Sequence, residues 1–472
     1  MSEGRTLVAG GTLVSDYGVF AGDLVLEDGR IRAIAEAGAF PASLVDEVID
    51  ASGLHVFPGA IDPHAHFEDP GHTEREDFTT GTMAAAAGGV TTVFEHPLTY
   101  PPVTTAHLYR EKRELARAKA IVDFGLWGAL TAPSLLEMRS QFEEGAGGFK
   151  AFMPRSEPAY PHVDDAEFLE GMHTAKELDA LVLVHAESDA LLHANLSRLR
   201  AQGRRDPLAH HESRPPLVEE EAVHRALFLA VQTGVRLQVV HVSTPGSAAL
   251  ILQAKQSGLP VSMEVCPHHL LLDLSDLVRL GPYGRCAPAL RERALVEQLW
   301  DHVRAGTADS LVSDHCAYTI EEKEPGWDDI FDAPLGCQVM QETMPLVLDE
   351  AIYRRGLSLD AFARFSSTNA ARITRIYPSK GTLMPGSHAD LALYDLDSEW
   401  VVDAQRQQFS KNPWSPFDGR RVRARLVRTL VRARTVYANG EICVSPGFGR
   451  FLSSQDDSTP GSLPQAPWEV AS

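Results

Sequence analysis

The chain has 472 residues, 44% hydrophobic and 23% charged, enough to bury a large core and long enough for one barrel-sized domain plus a smaller module. Lysine and arginine total 43 against 64 aspartates and glutamates, a formal charge of −21, which argues against nucleic acid and anionic membrane as partners. No uninterrupted apolar run approaches the roughly 18 residues of a membrane span, and the five cysteines are odd in number and scattered, so a cytoplasmic protein without a disulfide framework or structural zinc site is expected.

Residues 6–58 hold short β-type runs joined at Asp28-Gly29, a hairpin signal. Apolar strand-like runs then follow near 54–62, 90–95, 121–130, 148–153, 181–186, 236–242, 260–265 and 309–314. Helical patterns lie between them, for instance at 104–119, 164–178, 218–234 and 292–304, with Asp164 and Asp165 placed to begin one. Eight strands with crossovers predict an α/β fold, a (β/α)8 TIM barrel; a doubly wound open sheet competes, but eight successive units favour closure. β character returns at 389–394 and 429–437 and ends at a second turn, Asn439-Gly440, so both chain ends are expected to build one small β-sandwich. The expected division is 1–54 with 381–452 for the sandwich, 55–380 for the barrel, and a flexible tail, 453–472, rich in Ser, Pro, Gln and Asp.

Catalytic groups of a barrel sit at the C-terminal ends of its strands. His64 and His66 close the first strand and, at i and i+2, project from one face, a geometry that suits a metal. Lys150 lies in the fourth strand, His185 ends the fifth, His241 the sixth and Asp314 the eighth, so six candidates meet on one rim. A lone histidine is ordinarily a packed or solvated residue, and convergence on the rim reverses that expectation. Phe149 and Ala151-Phe152-Met153 make the surroundings of Lys150 continuously apolar. Desolvation there lowers its pKa, and a neutral amine can take up carbon dioxide to form a carbamate, an anionic ligand able to bridge two metals.

Through Pro58-Gly59-Ala60-Ile61-Asp62-Pro63-His64-Ala65-His66, Gly148-Phe149-Lys150, Val184-His185-Ala186-Glu187, His241-Val242-Ser243, Ser313-Asp314-His315, Lys380-Gly381-Thr382-Leu383 and Gly386-Ser387-His388-Ala389-Asp390, the chain resembles the cyclic amidohydrolases of the metal-dependent amidohydrolase superfamily. The likeness runs from about residue 5 to 452 and is strongest to the hydantoinase, dihydropyrimidinase and allantoinase branch. Pro97-Leu98-Thr99-Tyr100, Glu324-Pro325-Gly326-Trp327, Ser415-Pro416-Phe417-Asp418-Gly419 and Pro446-Gly447-Phe448-Gly449 look like the hydantoinases of L or weak enantioselectivity.

The resemblance implies one metal held by His64, His66, Lys150 carried as N6-carboxylysine, and Asp314, and a second held by Lys150, His185 and His241. It implies two divalent ions per subunit, zinc with manganese or cobalt as substitutes, and carbon dioxide as the lysine carbamate. Asp314 is the implied catalytic residue, taking the proton of the attacking water and passing it to the departing ring nitrogen. The implied reaction opens a cyclic ureide, a 5-substituted hydantoin giving an N-carbamoyl amino acid; allantoinase is the alternative, then dihydropyrimidinase or dihydroorotase. A homotetramer is implied as well. The same fold also serves non-catalytic dihydropyrimidinase-like scaffold proteins, which have lost ligands; here all six positions carry competent residues.

Substrate contacts match the branch less well. Arg155 stands five residues after Lys150, where relatives often have tyrosine; Cys286 and Ala287 replace a segment that often carries serine; Leu335-Gly336 lacks the usual preceding asparagine; and His96 stands where an apolar residue is expected. These six residues are the expected substrate contacts, and side-chain specificity is expected in the loops 67–75, 96–103 and 153–162.

Overall fold

The computed structural model describes residues 4–155, 160–406 and 409–453. The expected tail, from residue 454 on, lies outside the described residues, as do residues 156–159 of the third expected specificity loop.

The two turn signals form as their chemistry demands. Asp28 and Gly29, at φ 50° and 75°, and Asn439 and Gly440, at φ 49° and 95°, are left-handed at both central positions. That is the backbone a two-residue hairpin requires. Their hairpins sit near opposite edges of a nine-stranded sheet drawn from both chain ends, in which His55–Pro58 pairs parallel with Thr6–Ser15 and antiparallel with Leu391–Asp395.

The apolar run at 54–62 therefore divides at Gly59, its first half in the end sheet and its second starting the inner strands. A Cβ at Gly59 would lie 2.2 Å from the Thr91 side chain, so the crossing needs glycine. The inner strands are β1 (Ala60–His66), β2 (Val90–Glu95), β3 (Asp123–Leu126, resuming at Gly128–Ala129), β4 (Gly148–Phe152), β5 (Leu181–His185), β6 (Arg236–Val239), β7 (Val261–Val265) and β8 (Ser310–Leu311, resuming at His315–Cys316). Each pairs parallel with its neighbour in sequence, and the second part of β8 returns to β1. With few exceptions these strands are buried along their whole length, which is why they read as continuous apolar runs.

The expected helices form at Ala106–Lys119, Asp165–Glu177, Pro216–Thr233 and Arg293–Arg304. Asp164 caps the second by accepting from Glu167 N at 2.8 Å, while the Glu167 carboxylate accepts from Asp164 N at 2.9 Å. A buried knot joins the two parts of the molecule: Asp123 of β3 takes Lys380 Nζ at 2.7 Å and the Arg432 guanidinium, and Lys380 also meets Asp390. Among the described residues no helix is long and apolar enough to cross a membrane.

Candidate metal centre and substrate cavity

β1 delivers His64 and His66 to the rim, and the chain between the two parts of β8 is pinned against them. Asp314 N donates to His64 O at 3.0 Å, while Asp62 Oδ1 accepts from both His64 N at 3.2 Å and Ser313 N at 3.1 Å. Asp314 Oδ1 then lies 3.1 Å from His64 Nε2 and 3.3 Å from His66 Nε2. His241 and Asp314 do not end their strands as read from sequence: His241 lies beyond the last paired residue of β6 and Asp314 in the break between the two parts of β8, at φ 39° and 48°. Left-handed backbone at a non-glycine residue costs about 1–3 kcal/mol and persists where the surroundings impose it.

Lys150, His185 and His241 open onto the same cavity. The His185 and His241 rings are 4.5 Å apart, and the His241 ring is 5.4 Å from that of His64. Lys150 Nζ is fully buried, has no hydrogen-bond partner, and sits 4.8 Å from the Phe152 ring centre.

Buried carboxylates orient the imidazoles. His64 Nδ1 meets Glu264 Oε2 at 2.8 Å; Gln238 donates to the other Glu264 oxygen and accepts from Ser262 Oγ at 2.9 Å. His185 Nε2 meets Glu187 Oε2 at 2.7 Å, which leaves Nδ1 as the nitrogen that could hold a metal, and Arg214 holds Glu187. Carboxylates bonded to the far nitrogen fix ring orientation and raise ligand basicity. Glu264→Gln is therefore expected to weaken metal affinity about 10–100-fold, measured by competition with a chelator; unchanged affinity would remove Glu264 from the site. A glutamate inside the apolar strand Val261–Val265 is the one sequence signal of this contact, and spacing alone gives it no partner.

The protonation states suit coordination. Burial lowers His66 to about 4 and also depresses His185 and His241, which leaves these rings neutral at pH 7. Burial would depress His64 too, but Asp314 and Glu264 more than offset it. Burial likewise opposes ionisation of Asp314, yet His64 and His66 hold it well below the ordinary carboxylate range. Burial also pulls the Lys150 amine down to about 8, within reach of the neutral form that carbon dioxide requires.

These donors fit a metal pair: His64, His66 and Asp314 already converge, Lys150 is an orphaned buried amine, and mixed nitrogen and oxygen donors suit zinc, manganese or cobalt. A second converging group, Cys266, His268 and His269, is wholly buried, and none of the three lines the cavity.

The cavity, of about 660 Å³, is lined by Ala287, Leu335 and Gly336, but not by His96, Arg155 or Cys286. His96 is buried behind the histidine pair, its ring centre 4.0 Å from that of His64 and 5.1 Å from that of His66. Arg155 turns outward, 58% exposed, to a salt bridge of 2.7 Å with Asp189. The Cys286 thiol is buried, 3.2 Å from Pro288 O. Tyr160 and Arg285, which no sequence motif singled out, do line the cavity; Tyr160 donates its hydroxyl to Lys150 O at 2.8 Å. The wall at 334–336 is held from behind by buried Lys323, whose ammonium reaches Pro334 O at 3.0 Å and Gly336 O at 2.7 Å.

Residues 55–436 match the model of the amidohydrolase family. The chain is 37% identical over 447 residues to an L-hydantoinase of Paenarthrobacter aurescens, covering 94% of this chain and 97% of that one. It is 41% identical over 461 residues to an allantoinase of Rubrobacter xylanophilus, covering 96% and 97% respectively. The solved structure of an L-hydantoinase (dihydropyrimidinase) from Arthrobacter aurescens superposes with a TM-score of 0.93 at 36% identity, covering 96% of this chain and all of that one.

Proposed function

The chain belongs to the amidohydrolase family, and on that premise we propose that it opens a 5-substituted hydantoin to an N-carbamoyl amino acid. It is a hydrolase acting on cyclic amides. The observation that carries the substrate reading is one cavity where His64, His66 and Asp314 converge beside an unpartnered, buried Lys150, in a chain that aligns end to end with a hydantoinase.

Family membership implies a binuclear metal centre. In this reading His64, His66, Asp314 and carboxylated Lys150 would hold one divalent ion, and Lys150, His185 and His241 the other. Such ions, when bound, would polarise the scissile carbonyl and make water nucleophilic near neutral pH. The remaining work falls to the chain. Asp314, ionised and fixed beside His64 and His66, accepts the proton of the attacking water on its carboxylate and returns it to the ring nitrogen as the C–N bond breaks. Glu264 and Glu187 keep the imidazoles aligned, and the wall of Ala287, Leu335 and Gly336 orients the ring and excludes bulk water.

The cyclic ladder of eight strands supports reading residues 55–380 as a (β/α)8 barrel, and the end sheet supports reading 1–54 with 381–452 as a β-sandwich domain. Assembly as a homotetramer belongs to the same reading and rests on the resemblance, and a cytoplasmic location rests on the sequence composition.

Allantoin is the second reading, favoured by 41% identity with the Rubrobacter allantoinase. Steady-state kinetics of the zinc-loaded enzyme on a 5-alkylhydantoin, allantoin, dihydrouracil and dihydroorotate test both. The hydantoins are expected to exceed dihydrouracil and dihydroorotate in kcat/KM; a value for allantoin above those of other 5-substituted hydantoins selects the second reading, and no turnover of any of them rejects ring opening.

A further inference from the structure

The cavity is lined by three lysine or arginine side chains, Arg75, Lys150 and Arg285. Arg75 is fully engaged: it meets Glu68 at 3.0 Å and Glu322 at 2.6 Å, and its guanidinium lies 4.7 Å from the Tyr318 ring centre. Lys150 is the candidate carbamate. Arg285 is left over. Only 9% of it is exposed, its Nε is buried without a partner, and no ion pair or hydrogen bond among the described residues engages its guanidinium.

Its surroundings do not neutralise it. Arg214 and Arg200 oppose its charge; Asp329, which favours it, lies 3.8 Å from Arg205; and Asp332 lines the cavity without pairing with it. The position is rigid, since Arg285 N donates to Pro282 O at 3.2 Å and Arg285 O accepts from Gly336 N at 2.9 Å. The guanidinium therefore projects from the same wall as Ala287, Leu335 and Gly336. A buried, unpaired guanidinium is strongly unfavourable in the free protein, and its planar fork suits an oxygen acceptor supplied by a ligand. Elsewhere the cavity wall mixes hydrocarbon, including Leu98, Phe152, Pro325 and Phe331, with polar side chains such as His72, Thr99 and Asp332.

We propose that Arg285 is the specificity-determining residue for the substituent on the substrate ring: its N–H groups donate to an exocyclic oxygen acceptor, selecting cyclic ureides that carry a carboxylate or ureido oxygen over those that carry only hydrocarbon. The proposal rests on the ring-opening reading and specifies the substrate class within it. Carboxylate and ureido groups share the acceptor chemistry and differ in charge, so two substrates separate them.

The test is kcat/KM of the zinc-loaded, full-length enzyme and of Arg285→Leu and Arg285→Lys on 5-propylhydantoin, 5-(2-carboxyethyl)hydantoin and allantoin. The wild type is expected to prefer one oxygen-bearing substrate over 5-propylhydantoin, and Arg285→Leu to shrink that preference on the order of 10²-fold. Arg285→Lys should restore part of it if the acceptor is the carboxylate, and little if it is the ureido oxygen. Removing an unpaired buried charge should leave the thermal midpoint of Arg285→Leu at or above that of the wild type; if that variant fails to fold, the same loss of preference is read from Arg285→Lys on allantoin. A preference unchanged within about twofold, or an equal fall on all three substrates, overturns the role of Arg285 while leaving ring opening intact. No turnover of any of the three by the wild type rejects the ring-opening reading and this proposal with it.

Discussion

Lys150→Ala is expected to lose the metal pair and to lower ring-opening kcat/KM by on the order of 10³-fold or more. Among the described residues the amine has no hydrogen-bond acceptor and no ion-pair partner, only the face of Phe152, and it lies on a strand buried along its length. An ordinary buried lysine is tied down, as Lys380 is between Asp123 and Asp390 and Lys323 is by three carbonyls. Lys150, lowered to about 8 by burial, is instead ready to react with carbon dioxide. The truncation leaves room for a small carboxylic acid to stand in for the carbamate, so added propionate with zinc should restore part of the activity and of the bound metal. Kinetics and metal content measured with and without propionate check this; full activity in Lys150→Ala would refute the carbamate.

Asp314→Asn is expected to cost about 10³–10⁴-fold in kcat while leaving the fold intact and part of the metal bound. Asparagine matches the shape of aspartate and tolerates the left-handed backbone at φ 48° as well as aspartate does. The substitution thus removes the charge and proton capacity facing His64 and His66 without disturbing the turn. Circular dichroism, metal content and kcat together separate the roles. Loss of metal in proportion to loss of activity would make Asp314 only a ligand, whereas a much larger loss of kcat identifies it as the proton carrier.

What sequence could reveal followed from local physics. The i, i+2 spacing of His64 and His66, the buried apolar runs, the Asp-Gly and Asn-Gly turns and the Asp164 cap are all decided by near neighbours. What it missed depends on pairing across the chain. Arg155 was expected to touch substrate because nothing local reveals its partner, Asp189, which lies 34 residues on. Glu264 reaches His64 from 200 residues away, and the division at Gly59 follows from Thr91 on the neighbouring strand. Arg285 escaped notice because an unpaired cation can be recognised only once every other charge around it has been placed. His241 and Asp314 were assigned to the right strands, but the sharp turns that carry them out of the ladder, past the end of β6 and within the break in β8, have no glycine or proline at those positions to announce them.

The most direct test of a carbamate-bridged metal pair is anomalous diffraction at the zinc edge from crystals of the zinc-loaded protein. Two peaks are expected to flank Lys150 Nζ, one among His64, His66 and Asp314 and the other beside His185 and His241, with carbamate density between them. A single peak, a bare amine at Lys150, or zinc seated at Cys266, His268 and His269 instead would contradict it.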